Sequence, residues 1–290
     1  VIEHLPDLTQ IPSAEEALVL IRRASSPDLV RGLTTAGLRD QFLVPGLTAD
    51  AEPRFAYTDH DRLVIGGVRP GEAVVALPAP DALGTEHFLD RRELGVVNLG
   101  RTGRIVVDGT EYEIGNSECI YIGRGARDVN FAGDGAVYYL VSTRAHRSWP
   151  TVLVTQAEAE PVQLGGPAGS NQRTIYKYIH AGGAASCELV LGVTVLADGS
   201  MWNTMPCHIH ERRTEVYFYF GLPDGQRVVH LMGEPTETRN LIVANEQAVI
   251  SPPWSVHCGF GTHSYAFVWA MGGENQDYGD VETIPLERLR

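Results

Sequence analysis

From about Phe42 onward the chain alternates short apolar runs with glycine, proline and aspartate turns, the pattern of strands joined by tight connections. A first series holds Leu63-Val-Ile-Gly-Gly, Gly95-Val-Val-Asn-Leu, Arg104-Ile-Val-Val, Glu118-Cys-Ile-Tyr-Ile and Val137-Tyr-Tyr-Leu-Val. A second begins at Thr174-Ile-Tyr-Lys-Tyr. It continues through Cys187-Glu-Leu-Val-Leu-Gly-Val-Thr, Val216-Tyr-Phe-Tyr-Phe, Arg227-Val-Val-His-Leu, Gln247-Ala-Val-Ile and Tyr265-Ala-Phe-Val-Trp. Between them, residues 145–172 are poorer in pattern and contain Gly165-Gly-Pro-Ala-Gly-Ser-Asn, which reads as a link. Ahead of both, Ser13 and Glu16 form a capping box after Pro12. Ala17, Leu18, Ile21 and Ala24 then give a helical apolar stripe, expected to pack on the domain or on a neighbouring subunit. The expectation is an all-β chain: an N-terminal helical extension over 1–26, a first half over 27–150 and a second over 151–290.

A faint repeat links the halves. Asp90-Arg-Arg-Glu-Leu-Gly-Val-Val-Asn-Leu aligns with Glu211-Arg-Arg-Thr-Glu-Val-Tyr-Phe-Tyr-Phe if one residue is skipped. Tyr121-Ile-Gly-Arg-Gly-Ala and Ile250-Ser-Pro-Pro-Trp-Ser follow in matching places. Two copies of a small β-barrel would produce this. On that alignment the first copy keeps a glutamate, Glu93, but has no His-x-His.

The most chemically loaded segment lies in the second series. His208 and His210 are two apart on a strand and so share a face. Four residues then separate His210 from Glu215, room for a bend, and His257 follows a Pro-Pro-Trp-Ser-Val turn. A lone strand histidine is ordinarily a core or surface residue. Three imidazoles and a carboxylate that a barrel interior would gather suit a divalent transition metal. If Glu215 points inward, so do Tyr217 and Tyr219, while Val216, Phe218 and Phe220 face away. By the same alternation Trp202, Thr204 and Pro206 share the histidine face, as core or as pocket wall. Glu211, Arg212 and Arg213 occupy the bend. Arg173 and Lys177 are ordinarily surface residues, but either could anchor an acidic ligand.

Composition narrows the function. The 290 residues carry a formal charge of −13, which argues against nucleic acid or an anionic membrane as partner. Lys177 is the only lysine, so a Schiff-base mechanism would have one candidate. Cys119, Cys187, Cys207 and Cys258 form no Cys-x-x-Cys pair. With no signal peptide or membrane-length apolar run, free thiols in a reducing cytoplasm are expected. Strand alternation turns Cys207 and Cys258 away from the histidines beside them.

The His-x-His-x4-Glu run with its distant proline-flanked histidine resembles the metal motifs of the cupin superfamily. Several stretches, in order, are similar to the 5-keto-4-deoxyuronate isomerase family (4-deoxy-L-threo-5-hexosulose-uronate ketol-isomerases). They are Gly37-Leu-Arg-Asp-Gln-Phe-Leu-Val, Asp61-Arg-Leu-Val-Ile-Gly-Gly, Phe88-Leu-Asp-Arg-Arg-Glu-Leu-Gly-Val-Val-Asn, Arg173-Thr-Ile-Tyr-Lys-Tyr and the whole run from Trp202 to Phe220, with Asn245-Glu-Gln-Ala-Val-Ile-Ser-Pro and Gly273-Glu-Asn-Gln. The resemblance covers about residue 27 to the C-terminus. It implies two cupin-like jelly-roll barrels in one chain, one zinc per subunit on His208, His210, Glu215 and His257, a homohexamer, and a place in pectin and related uronate catabolism. The ligand types also admit manganese, iron or nickel.

The implied reaction converts 5-dehydro-4-deoxy-D-glucuronate to 3-deoxy-D-glycero-2,5-hexodiulosonate. A metal could polarise the carbonyl of this small acidic sugar while a base moves a proton between carbons. Candidates for that base are Glu211, Tyr217, Tyr219 and a metal-bound water; a hydride shift would need none. Lys177, Arg173, Trp202 and Thr204 are the candidate substrate contacts. Rival readings are the 5-deoxyglucuronate isomerase of inositol breakdown, a metal-dependent cupin dioxygenase, and a non-catalytic sugar-binding cupin.

Overall fold

The computed structural model describes residues 19–290. Its strands form four sheets. A seven-stranded sheet runs, in order, Val19–Arg22, Arg54–Thr58, Val64–Val68, Tyr138–Arg144, Arg92–Asn98, Cys119–Ile122 and Val152–Val154. Packed on it is a four-stranded sheet of Gly71–Ala76, Val129–Gly133, Gly103–Val107 and Thr110–Ile114. Leu94, Val96, Ile105, Ile120, Phe131 and Tyr138 fill the space between them. The second half repeats the scheme. Its seven-stranded sheet runs Val162–Leu164, Arg173–Ile179, Val190–Leu196, Ala266–Gly273, Arg213–Phe220, Gln247–Ser251 and Leu43–Val44. Its partner sheet holds Glu237–Val243, Val228–Glu234, His257–Gly261, Trp202–Ile209 and Glu282–Thr283.

The two seven-stranded sheets pack face to face. Tyr121, Tyr139 and Val141 from one meet Leu191, Val216, Phe218 and Ala270 from the other, with Tyr139 stacked on Phe218 at 4.3 Å between ring centroids. Each central strand is therefore buried on both faces, which is why its sequence is a nearly continuous apolar run. Arg213–Phe220 divides its side chains as alternation predicts: Val216 and Phe218 enter the layer between halves, and Tyr217 and Tyr219 enter the second half's own core.

Two segments cross between the halves. Val152–Val154 pairs with Cys119, Ile120 and Tyr121 of the first half. Leu43–Val44 closes the second half's sheet against Ala248 and Val249. It is led there by helices Pro27–Arg31 and Thr35–Phe42, whose first turns are capped by Ser26 and Thr34. Val30, Leu38 and Phe42 of these helices are buried in the second core, so residues 27–44 pack with the half that is distant in sequence.

The helical stripe expected to end at Ile21 and Ala24 is corrected at its described end. Val19–Arg22 is a strand, paired in parallel with Phe55, Ala56, Tyr57 and Thr58. A short apolar run such as Val-Leu-Ile fits either period, and the open edge of the first sheet decides for a strand. The capping box at Ser13 and Glu16, with Ala17 and Leu18, lies outside the described residues.

The repeat is also corrected in register. Leu94 pairs with Ile122 as Glu215 pairs with Ser251, so the two copies align without a skipped residue. Leu94, not Glu93, stands where Glu215 does. A one-residue shift turns a side chain to the opposite face, and Glu93 points between the halves. There its carboxylate accepts hydrogen bonds from Tyr121, Thr143 and the backbone N–H groups of Cys187, Glu188 and Leu189.

Candidate metal centre

His208 lies near the end of Trp202–Ile209 and His210 follows just beyond it; His257 opens the neighbouring strand directly opposite His208. Glu215 reaches them from Arg213–Phe220 on the facing sheet. The ligand atoms these four residues offer all lie within 4.8 Å of one another. Nε2 of His208 is 3.1 Å from Nε2 of His210 and 3.0 Å from Nε2 of His257. Oε2 of Glu215 is 2.7 Å from Nε2 of both His210 and His257, and 4.0 Å from that of His208. Ligands sharing one ion at bond lengths of about 2.0–2.2 Å lie about 3 to 4 Å apart. The His208 distances fall in that range, and the two 2.7 Å contacts of Glu215 are a few tenths of an ångström shorter, so small shifts would admit a single cation.

The outer contacts fit as well. Nδ1 of His210 faces the carbonyl of Asp280 at 3.0 Å, and Nδ1 of His257 that of Ser255 at 3.2 Å. A carbonyl accepts only, so Nδ1 of His257 carries the proton and its Nε2 is free to ligate. Nδ1 of His210 lies between that residue's carbonyl partner, Asp280, and Nη2 of Arg213, 3.2 Å away, and its Nε2 faces the common centre. Burial, reinforced by His257, holds the His208 imidazole well below its usual range and so neutral. Burial alone would raise the Glu215 carboxyl; His257 and His210 outweigh it and hold the group well below the ordinary carboxylate range. The Asp280 carbonyl also accepts from Arg213 at 2.9 Å, and its carboxylate is gripped by Arg212 and Asn275. The loop after Gly273 is thereby tied to the ligand hairpin. Cys207 and Cys258 lie on the other face of their sheet, in a small apolar cluster with Ile209, Val256 and Ile284.

His208, His210 and Glu215 form one wall of a cavity of about 240 Å³. Of the other residues singled out from sequence, Arg173, Thr204 and Tyr217 line it. Four do not. Glu211 is exposed at the hairpin turn. Tyr219 turns its hydroxyl to Nδ1 of His230 at 2.8 Å, deeper in the core. Lys177 places Nζ 4.7 Å over the ring of Tyr278, outside the lining. Trp202 stacks on Phe260 at 4.6 Å, because the strand bulges between it and His208 and the expected alternation is lost.

A model of the KduI/IolB family matches residues 44–284. The chain belongs to the KduI/IolB family. Among its relatives, a 4-deoxy-L-threo-5-hexosulose-uronate ketol-isomerase of Halalkalibacterium halodurans is 51% identical over 273 residues, covering 93% of this chain and 99% of the relative. Proteins of the same name from Shouchella clausii and Caldicellulosiruptor bescii are 47% and 44% identical over 274 residues, again over 93% of this chain and 99% of theirs. Among solved structures, an IolB-like protein of Salmonella typhimurium superposes with a TM-score of 0.63 at 15% identity, over 77% of this chain and 86% of that one. Bacillus subtilis oxalate decarboxylase, described with Mn(II) centres, superposes with a TM-score of 0.53 at 11% identity, over 77% and 71%. These last two likenesses concern the fold, and they make this KduI/IolB chain cupin-like.

Sequence reasoning missed several residues of this KduI/IolB site. Phe267, Trp269 and Met271 line the cavity from one strand; their two-residue spacing was a usable signal. Tyr278 and Asp280 sit in a loop with no periodicity. Asn203 was passed over because it is out of phase with the histidines. Gly192 leaves the space that the Trp269 ring occupies, since a Cβ there would lie 2.1 Å from Cζ2.

Proposed function

We propose that the chain is a metal-dependent ketol-isomerase that converts 4-deoxy-L-threo-5-hexosulose uronate (5-dehydro-4-deoxy-D-glucuronate) to 3-deoxy-D-glycero-2,5-hexodiulosonate. The observation that carries the proposal is that His208, His210 and Glu215 face the same cavity as Arg173 and Tyr217. A Lewis-acid position, a fixed cation and a hydroxyl thus share one space. At about 240 Å³ it is smaller than the roughly 300–1,000 Å³ of drug-sized pockets, and so suits a monomeric sugar acid. Relatives at 44–51% identity carry the same name.

A divalent ion held by His208, His210, Glu215 and His257 would supply the Lewis acidity that eases loss of a proton beside a carbonyl. Arg173, with Nη1 fixed on the carbonyl of Asn171 at 2.9 Å, binds the substrate carboxylate through its remaining N–H groups. Burial, reinforced by Glu215, pushes the Tyr217 hydroxyl well above its usual range. This favours a role as donor to a substrate oxygen over a role as the base. Phe267, Trp269 and Tyr278 exclude water. The ion is taken as zinc, for which three imidazoles and a carboxylate are ordinary ligands. The same resemblance supports one ion per subunit of a homohexamer, a cytoplasmic location and a role in uronate catabolism, and four free thiols fit a reducing compartment.

The test is turnover of freshly prepared substrate followed by NMR, with the protein as purified, after chelation, and after each of zinc, manganese, iron and nickel is restored. Isomerisation lost on chelation and regained with one metal is the expected result; none in any state would sink the reading. The shared family name and the IolB-like fold neighbour favour one second reading, a 5-deoxyglucuronate isomerase. A higher kcat/KM on that sugar would establish it instead. Arg173→Met is expected to raise KM about 10- to 100-fold with kcat nearly unchanged, the loss of charge-assisted bonds made equally in ground and transition states. Lys177→Met should move KM less than about threefold on the same reasoning, and separate kcat and KM values check both.

A further inference from the structure

The strand that delivers His208 is irregular just before it. Trp202 and Asn203 pair with Phe260 and Gly259, and the next paired residue is His208, opposite His257. Five steps on one strand, 203 to 208, oppose two on the other, 259 to 257. The excess is absorbed in a bulge, a device that re-aims side chains. Within it Thr204 has φ +57°, a left-handed conformation that a β-branched residue adopts only where its surroundings enforce it. The consequence is that consecutive residues, Asn203 and Thr204, both line the cavity. A flat pleat would send one of them away.

The hydrogen bonds there do not close. The Thr204 hydroxyl donates to Oδ1 of Asn203 at 2.7 Å, which fixes the amide with its oxygen spoken for. Asn203 is only 2% exposed, yet its Nδ2 has no partner. Leaving a buried donor unmade costs about 1–3 kcal/mol. Among the described residues, Asn203 is the only cavity-lining one with such an orphaned side-chain atom. Tyr217 lines the same cavity as Thr204 and Asn203, so three neutral polar side chains border it beside the ligand wall.

We propose that the Asn203 amide is a catalytic hydrogen-bond donor to the substrate oxygen that gains negative charge, with Thr204 as the residue that orients it. This rests on the ketol-isomerase reading. When the carbon beside the carbonyl loses its proton, the bonding pair moves into the new carbon–carbon double bond and the carbonyl pair moves onto oxygen. The Nδ2–H donates to that enediolate oxygen. A general base carries the carbon proton to the former carbonyl carbon, and the hydroxyl proton passes to the former carbonyl oxygen as the second carbonyl forms, so the isomerisation closes with nothing else consumed. A donor already fixed and dry needs no reorganisation at that moment, and removing one such donor typically costs about 10²–10³ in kcat.

The experiment compares full-length, metal-loaded wild type with Asn203→Ala and Asn203→Asp. Both variants should lose about 10²-fold in kcat, with KM within about threefold and metal content unchanged by elemental analysis. Asn203→Asp keeps the shape and the oxygen that Thr204 bonds but removes the donor. Near-normal kcat in that variant, or a loss that tracks missing metal, overturns the proposal. A second arm measures affinity for D-glucaric acid monohydroxamate, a planar mimic of an enediolate. At least about tenfold weaker binding in both variants is expected; equal affinity overturns the assignment whichever substrate is turned over. Wild type that binds the mimic but does not isomerise the uronate removes the ketol-isomerase reading and leaves the role of Asn203 to the binding arm.

Discussion

The double replacement His208→Ala/His210→Ala is expected to give a folded protein without stoichiometric metal that isomerises the uronate at least about 10³-fold more slowly. Lewis-acid stabilisation is worth several kcal/mol, and about 4 kcal/mol is a thousandfold in rate. Both histidines leave one stretch of chain, so the cavity loses half its donor set without any change in the facing sheet. Folding survives because Glu215, buried at 4% exposure, keeps His257 at 2.7 Å and is not left as an unpaired buried charge. Elemental analysis, NMR turnover and circular dichroism melting check the three parts. Full metal occupancy in the double variant, or a tenth of wild-type activity, would show that the four residues are not the centre on which the reaction depends.

The second large effect concerns stability. Glu93→Ala should lower the unfolding free energy by about 4 kcal/mol or more, since several buried donors lose their acceptor at about 1–3 kcal/mol each. The donors come from two directions. Tyr121 and Thr143 belong to the same sheet as Glu93, while the N–H groups of Cys187, Glu188 and Leu189 belong to the other half. Glu93 is 0% exposed, so water cannot readily replace it. Against a typical total of about 5–15 kcal/mol the variant would be marginal at best. Chemical denaturation beside Glu113→Ala, an exposed glutamate on an outer strand, is the check. A difference below about 1 kcal/mol would mean that the carboxylate is not the fastener its contacts suggest.

What was legible in the sequence follows the regularity of the backbone. The metal-ligand candidates could be read because His208, His210, Glu215 and Tyr217 all obey strand alternation near the point where two sheets meet. Trp202 was misplaced because the bulge at Thr204 breaks that alternation, and no residue type announced it. The same bulge hid Asn203. Glu93 was set on the wrong face by a single skipped residue. Tyr278 and Asp280 have no period to follow, and their loop is held by Arg212 and Arg213, which the sequence showed only as charges at a bend. The crossing of Leu43–Val44 to the second half depends on partners at Val249 and Ala248, too far along the chain for any local pattern to indicate.

That crossing separates the order in which the protein is made from the order in which it is assembled. At about 5–20 residues per second, the ribosome releases the helices ending at Phe42 long before it reaches Gln247–Ser251, the strand on which Leu43–Val44 must pair. For roughly 10–40 s at that speed, Leu38 and Phe42 have no second core to enter. The rest of the first half can close once Val152–Val154 has emerged, while Leu43–Val44 waits for a partner strand about 200 residues further along. An arrested nascent chain that stops short of residue 247 should therefore leave these helices open to proteases and chaperones, however complete its first sheets are.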